Sequence, residues 1–123
     1  TRIVRVAEIL ADNAVQYTPA EGQVTVVFRT DGGAFSVSVT DTGVGIPAAE
    51  QPRVFAQFFR GANAHALQPS GSGVGLYLAK QYIDRHGGTI AFSSTEGKGS
   101  MFTFSLPIRT HIPTELEEVL GRM

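Results

Sequence analysis

An aspartate ends a predicted strand in a position where its carboxylate would face the protein interior. In "AFSVSVTD" (residues 34–41), Phe35, Val37 and Val39 alternate with polar residues, and the period of two places Asp41 on the same face. A buried ionised carboxylate is costly unless it is hydrogen bonded, so Asp41 needs donors from backbone, side chains or a ligand. The following "TGVG" offers backbone that can approach a flat ligand closely. The alternative is an aspartate that organises its own turn.

A glycine-rich run directly before a predicted helix is suited to binding phosphate. "GSGVGL" (residues 71–76) places Gly71, Gly73 and Gly75 where free backbone N–H groups and the positive end of the helix dipole converge. The spacing matches neither the dinucleotide-binding fingerprint nor a P-loop, which ends in Lys-Ser or Lys-Thr. A flexible hinge is the alternative interpretation.

Two more side chains could contact a phosphorylated ligand. Asn13 falls on the 3-6-10-13-17 stripe of a predicted helix, where its amide could give oxygen to a metal or N–H₂ to a ligand. Arg60 follows "VFAQFF" and opens a long loop, from which a guanidinium could reach phosphate oxygens. The alternatives are a structural asparagine bonded to a neighbouring loop and a solvated surface arginine. The three histidines show no metal-ligand spacing and are interpreted as surface or loop residues: His65, His86 and His111.

Helices are predicted on both sides of these motifs. Apolar residues at spacings of three and four predict a first helix that stops near Pro19. "AAEQPRVFAQFF" predicts a short helix with Pro52 in its first turns, followed by the loop "RGANAHALQPSGSG". A further helix is predicted from about Val74 to His86, with Gly87 capping its end.

Strands are predicted in two pairs. "QVTVVFRT" and "AFSVSVT" form a hairpin through residues 31–33, and "TIAFSS" and "MFTFSLP" flank the turn "TEGKGS". The order of elements predicts an α+β sandwich, in which a mixed, mainly antiparallel sheet carries helices on one face.

Composition narrows the possible functions. The 123 residues suit one globular domain. The net charge of −1, with 17% charged residues, gives no sign of a basic surface that would bind nucleic acid or an anionic membrane. There is no cysteine, hence no disulfide or thiolate site, and folding in the cytoplasm is compatible. No apolar run approaches the roughly 20 residues that span a bilayer. Because the chain starts at Thr1, we expect it to be a piece of a larger protein.

Five motifs, taken in order, resemble those of bacterial sensor histidine kinases. "DNAVQYTP", "DTGVGIP", "VFAQFFRG", "GSGVGLYLAK" and "GKGSMFTFSLP" are similar to the asparagine box, first glycine box, phenylalanine box, second glycine box and closing strand. The resemblance covers residues 1–107 and leaves 108–123 as a tail or short helix. It implies the Bergerat ATP-binding fold, which gyrase and certain chaperone and mismatch-repair ATPases share.

The resemblance also implies how ATP and Mg²⁺ would be held. Asp41 would accept from the exocyclic amine of adenine, with help from Gly43, Gly45 and the Ser100 hydroxyl. Asn13 would hold Mg²⁺ bridging the phosphates, while Tyr17 would line the nucleotide. The loop of residues 61–70 would act with Arg60 as a lid. The full set of implied nucleotide-binding positions is Asn13, Gln16, Tyr17, Asp41, Gly43, Gly45, Ile46, Arg60, Gly71, Ser72, Gly73, Val74, Gly75, Leu76 and Ser100.

The activity implied is transfer of the γ-phosphate of ATP to a histidine on a separate dimerisation domain of the same parent protein, with a response regulator downstream. No histidine here lies in the "H-E" or "H-D" context of a phosphoacceptor, so we expect no autophosphorylation by this chain alone. The fragment is expected to be cytoplasmic, without membrane or nucleic-acid contact.

Two positions depart from the family pattern. Kinases of this kind usually carry a polar residue, most often Asn, four positions before the metal-binding Asn, and Lys or Arg three positions after it; here those places hold Ile9 and Gln16. Ile9 can neither donate nor accept, and Gln16 carries no charge. A degenerate pseudokinase module used for regulation is therefore the alternative function. A third hypothesis is a serine kinase that acts on anti-sigma-factor antagonists, or a chaperone-type ATPase. The latter usually needs glutamate at the position of Ile9.

Overall fold

The computed structural model describes residues 2–57 and 74–107. The predicted positions Arg60, Gly71, Ser72 and Gly73, the predicted lid and the tail of residues 108–123 lie outside this part of the chain. The elements, in order, are helix α1 (Arg2–Tyr17), strands β1 (Val24–Asp31) and β2 (Ala34–Asp41), a 3-10 helix (Ala48–Arg53), helix α2 (Gly75–Arg85), and strands β3 (Thr89–Thr95) and β4 (Gly99–Pro107).

The four described strands form one sheet in the order β1-β2-β4-β3, and every pairing among them is antiparallel. The predicted hairpin is confirmed: Asp31 pairs with Ala34, and Gly32 and Gly33 make the turn with φ angles of 54° and 102°. Positive φ at both central residues gives a turn whose twist matches that of the strands. The register sets Asp41 opposite Ser100 on β4, so the end of β2 is fixed against the start of β4.

One face of the sheet forms the core with the two helices. The inward residues of the central strands are buried, and Leu10 of α1 and Ile83 of α2 pack onto them with no exposed surface. On the outer face, side chains such as Ser38 and Thr103 are polar and small, and their hydroxyls bond to each other at 2.9 Å. This alternation follows the predicted period of two and gives the α+β layering of helices over an antiparallel sheet. The inward residues of β2 and β4 are Phe35, Val37, Val39, Asp41, Phe102, Phe104 and Leu106.

The buried stripe of α1 differs in one respect from the prediction. Ile9 is 8% exposed and belongs to the core, whereas Asn13 is only half-buried. The expectation that Asn13 lies among core side chains is therefore only partly correct. The reason is geometric: Leu10, Ala14 and Tyr17 centre the stripe, and a residue one position before Ala14 is turned about 100° away from it.

The predicted helix after Pro47 is shorter than expected and of a different type. It is a 3-10 helix from Ala48 to Arg53, in which Pro52 is the fifth residue, as predicted. Proline has no N–H to donate, so it cannot extend an α-helical ladder. The chain continues through turns, in which Val54 N–H donates to the Gln51 carbonyl at 3.2 Å.

The end of α2 confirms the predicted glycine cap. Gly87 has φ = 73°, its N–H donates to the Asp84 carbonyl at 3.3 Å, and Gly88 N–H donates to the Ile83 carbonyl at 3.0 Å. These two bonds are the pair that defines a Schellman ending.

Replacing Gly87 with alanine is expected to lower the free energy of unfolding by about 1 kcal/mol. A Cβ at this position meets no atom within 4 Å, so only the left-handed backbone conformation is penalised. Urea denaturation monitored by circular dichroism would measure the change. An unaltered midpoint would show that Gly87 does not hold this conformation in solution.

Candidate functional site

Asp41 places a carboxylate in the interior at the end of β2. It is 3% exposed, and its Oδ1 accepts a hydrogen bond from the Gly43 N–H at 2.9 Å. Within the described part of the chain, no group donates a full hydrogen bond to the buried Oδ2. Burial raises the pKa of Asp41 above its usual value of 3.8, although the backbone N–H groups of Gly43 and Ser100 lower it in part. One oxygen thus organises the turn, and the other is an acceptor without a partner.

The glycines after Asp41 are needed for packing against the chain itself. A Cβ at Gly43 would overlap the carbonyl oxygen of Tyr17, and the neighbouring Val44 N–H donates to that carbonyl at 2.9 Å. Gly45 has φ = 69°, and a Cβ there would overlap the carbonyl of Thr95. The sequence suggested a backbone that approaches a ligand. In the structure the loop of residues 42–46, which we call the aspartate loop, packs closely between α1 and the β3–β4 turn.

A hydroxyl network holds the far end of the aspartate loop. The Ile46 N–H donates to Ser94 Oγ at 2.8 Å, and Ser94 Oγ lies 2.7 Å from Ser100 Oγ. Gln51 Nε2 donates to both the Ile46 and the Ser94 carbonyls at 3.0 Å. Ile46 itself is completely buried in the core. Sequence reasoning missed Ser94 and Gln51, although Ser94 shares the inward parity of Ile90 and Phe92, the same signal that revealed Asp41.

Asn13 and Tyr17 lie on the half of α1 that meets the aspartate loop. Asn13 Nδ2 is buried and has no hydrogen-bond partner among the described residues. Tyr17 is 5% exposed, and Gln16 between them is half-buried. A buried amide donor without an acceptor is uncommon in a folded protein and indicates a missing partner. The side chains of Asn13 and Asp41 thus leave two unpaired polar atoms, one on each of two adjoining elements.

The described part of the second glycine box begins at Val74 and leads into α2. Gly75 is the first residue of α2, and a Cβ there would lie 3.1 Å from Cγ2 of Ile9. Since Ile9 precedes Asn13 by four residues, the N-terminus of α2 packs one helical turn from Asn13. Leu76 is half-buried and packs against the core. The fold therefore brings the N-terminal N–H groups of α2 towards the helix that carries the unpaired amide.

An open groove of about 420 Å³ lies between α1 and α2, and Gly75 is part of its lining. It does not reach Asp41, so it is separate from the carboxylate end of the site. Its lining residues are Arg5, Val6, Ile9, Val74, Gly75, Leu78, Gln81, Tyr82, Arg85 and His86.

Over residues 2–57 and 74–107, no three His, Cys, Asp or Glu side chains are grouped so as to hold a metal ion. His86 has a local role, because its Nδ1 lies 2.9 Å from the Tyr82 carbonyl and its ring stacks on the Tyr82 ring. None of the described helices is both long and apolar enough to cross a membrane.

Comparison with known proteins gives concordant matches. Residues 1–110 match the family described as histidine kinase-, DNA gyrase B-, and HSP90-like ATPase. The sensor-like histidine kinase SenX3 of Mycobacterium tuberculosis is 40% identical over 107 residues, covering 87% of this chain and 26% of that protein. The chain therefore spans about a quarter of the length of such curated relatives.

Solved structures show the same architecture. The mycobacterial sensor histidine kinase MprB has a TM-score of 0.74 at 34% identity, covering 85% of this chain and 71% of that chain. The structure of full-length ShkA in complex with AMPPNP has a TM-score of 0.73 at 30% identity, covering 91% of this chain and 22% of that one.

Proposed function

Because the chain belongs to the family of histidine kinase-, DNA gyrase B- and HSP90-like ATPases, we propose that it binds Mg-ATP and supplies the γ-phosphate for phosphorylation of a histidine on a separate dimerisation domain. The Bergerat α+β fold expected from the five motifs is confirmed by the family match and by the related structures. The observation that carries the proposal is the buried, unpartnered Oδ2 of Asp41.

At the base-binding end, Asp41 Oδ2 is suited to a ligand that donates a hydrogen bond. An unpaired buried acceptor costs free energy until a donor reaches it, and the exocyclic amine of adenine is such a donor. The neighbouring Ser100 is 6% exposed and lies directly opposite Asp41, so its side chain is on the same face of the sheet. The related structure of ShkA in complex with AMPPNP supports a nucleotide as the ligand.

At the phosphate-binding end, the N-terminus of α2 and Asn13 are suited to anionic oxygens and a cation. Free N–H groups at the start of a helix favour phosphate. Mg²⁺ is commonly held by one or two protein oxygens together with substrate phosphates, and Asn13 Oδ1 would be such an oxygen, whereas its unpaired Nδ2 can only donate. When bound, Mg²⁺ would neutralise negative charge on the phosphates during transfer.

Phosphoryl transfer depends mainly on placement of the two reactants. In this proposal the chain orients ATP, and the nucleophilic histidine comes from the dimerisation domain of the same parent protein, with a response regulator receiving the phosphate afterwards. Residues 1–107 form the ATP-binding unit, located in the cytoplasm. Gln16, Tyr17, Gly43, Gly45, Ile46, Val74 and Leu76 would complete the site, together with four positions outside the described residues: Arg60, Gly71, Ser72 and Gly73.

Isothermal titration calorimetry with ATP, with and without Mg²⁺, tests the binding step through Asn13. Asn13→Ala is expected to weaken Mg²⁺-dependent ATP binding on the order of tenfold, because an oxygen ligand is lost. Binding in the absence of Mg²⁺ should change little. Asp12→Ala, on the 69% exposed neighbour, is the matched control and should leave both affinities unchanged. If wild type and Asn13→Ala respond equally to Mg²⁺, Asn13 is not a metal ligand.

A pseudokinase module is the second candidate, and Ile9 favours it. Its side chain is buried against Gly75 at the point where the family usually has a polar residue. No group at this position can orient water or phosphate, so ATP would be held without efficient transfer. Incubation with radiolabelled ATP and the dimerisation domain of the parent protein separates the two functions. Label on that domain's histidine supports the kinase, while ATP binding without label supports the pseudokinase.

A further inference from the structure

The hydroxyl of Ser94 has all of its hydrogen-bonding positions filled. A serine hydroxyl has one proton to donate and two lone pairs to accept. Ser94 Oγ accepts from the Ile46 N–H at 2.8 Å and contacts the Gly99 carbonyl at 3.1 Å and Ser100 Oγ at 2.7 Å. A carbonyl can only accept, so in the contact with Gly99 the Ser94 hydroxyl donates its one proton. With the Ser94 proton on the Gly99 carbonyl, the 2.7 Å contact between the two hydroxyls is a hydrogen bond in which Ser100 donates.

This assignment determines what Ser100 can offer to a ligand. Its proton points to Ser94, and its lone pairs are left for other partners. Ser100 faces Asp41 across the β2–β4 ladder, and both side chains are buried. Directly opposed residues have Cβ atoms about 5 Å apart, so one ligand group can meet both. Two side-chain acceptors then lie on the same side of the sheet, Asp41 Oδ2 and Ser100 Oγ.

We propose that Ser94 is a positioning residue that makes the site select an amino purine over a keto purine, by holding the Ser100 hydroxyl as an acceptor beside Asp41. This inference rests on the proposed nucleotide binding. An exocyclic amine has two protons to donate and suits a pair of acceptors. A keto purine has an acceptor at the same ring position and only one ring N–H beside it, so at least one of the two buried acceptors is left without a donor, which is how polar sites reject close analogues.

Gln51, on the 3-10 helix, holds the hydroxyl network of Ser94 and Ser100 in place. Its single Nε2 donates to the carbonyls of Ile46 and Ser94, tying the end of the aspartate loop to β3. Without this link, the Ile46 N–H that fills one lone pair of Ser94 would be less well fixed. The direction of the Ser100 hydroxyl is thus set by residues that need not touch the base themselves.

The test compares ATP with inosine triphosphate, in which a keto group replaces the amine and the adjacent ring nitrogen carries a hydrogen, by calorimetry on the full 123-residue chain. For Ser94→Ala, the preference for ATP over inosine triphosphate is expected to fall roughly fivefold, about the worth of one hydrogen bond. The Ser100 hydroxyl would then be free to rotate and donate to the keto oxygen. Ser94→Thr retains a hydroxyl and should restore the preference. Ser93→Ala, on the exposed side of the same strand, is the matched control and should leave it unchanged.

A double mutant separates positioning from general loss of structure. If Ser94 acts through Ser100, adding Ser94→Ala to Ser100→Ala should change the preference no further. Equal weakening of both nucleotides by Ser94→Ala, with the preference intact, would overturn the inference and leave ATP binding standing. If the wild-type chain binds neither nucleotide, the proposed function fails and this inference fails with it. Melting temperatures measured in parallel identify variants that do not fold. If Ser94→Ala is one of them, the nucleotide preferences of Ser94→Thr and Ser100→Ala decide the question.

Discussion

Replacing Asp41 with asparagine is expected to weaken ATP binding by about 10- to 100-fold, the range for a hydrogen bond to a charged group. The amide oxygen could still accept from the Gly43 N–H, as Oδ1 does at 2.9 Å. The amide N–H₂ would then occupy the place of the unpartnered Oδ2 and point a donor at the donating amine of adenine. Calorimetry with Mg-ATP measures the loss. Binding of inosine triphosphate should suffer less, because its keto oxygen can accept from the new amide.

The same substitution is expected to stabilise the ligand-free chain at neutral pH. Burial raises the pKa of Asp41, so the folded state holds this proton more tightly than the unfolded state. Stability therefore falls as the pH rises through the window between 3.8 and the raised folded pKa, and the cost persists above that window. Asparagine has no charge to bury and avoids the cost.

Urea denaturation of wild type and Asp41→Asn across a range of pH would detect this trade-off. The advantage of the variant should be largest at neutral pH and should shrink as the pH approaches 3.8. Asp31→Asn, at the exposed end of the hairpin, is the control and should change neither ATP affinity nor this pH profile. A variant that is less stable than wild type at pH 7 while binding ATP normally would contradict the assigned role of Asp41.

The sequence predicted those features of the site that depend on parity along one element. Asp41 was placed inside because its neighbours alternate, and the helix ending at Gly87 was predicted from a single residue type with a known backbone preference. Ser94 carries the same parity signal, but a serine on an apolar face is less conspicuous than a carboxylate.

Features that depend on contacts between distant segments could not be predicted in this way. The bond from Gln51 to the Ser94 carbonyl joins residues 43 positions apart, and no local pattern specifies it. Gly99 is similar: its φ of 113° and the lack of room for a Cβ beside the Asp41 carbonyl arise only when β4 pairs with β2. From the sequence, Ile9 was expected to affect phosphoryl transfer because its side chain can neither donate nor accept a hydrogen bond. The structure adds that it is buried in the core and packs against the first residue of α2.

Gly45→Ala is expected to lower the free energy of unfolding by about 3 kcal/mol and to abolish measurable ATP binding, because its Cβ would overlap the Thr95 carbonyl as well as adopting φ = 69°. Gly97→Ala separates the two causes, since Gly97 has φ = 81° in the adjoining turn but meets no atom within 4 Å. That control should lose only the roughly 1 kcal/mol of the left-handed conformation and should retain ATP binding. Urea denaturation and calorimetry of both variants measure the difference. Equal losses would mean that the aspartate loop can move away from Thr95 freely, and that close packing against β3 does not hold Asp41 in place.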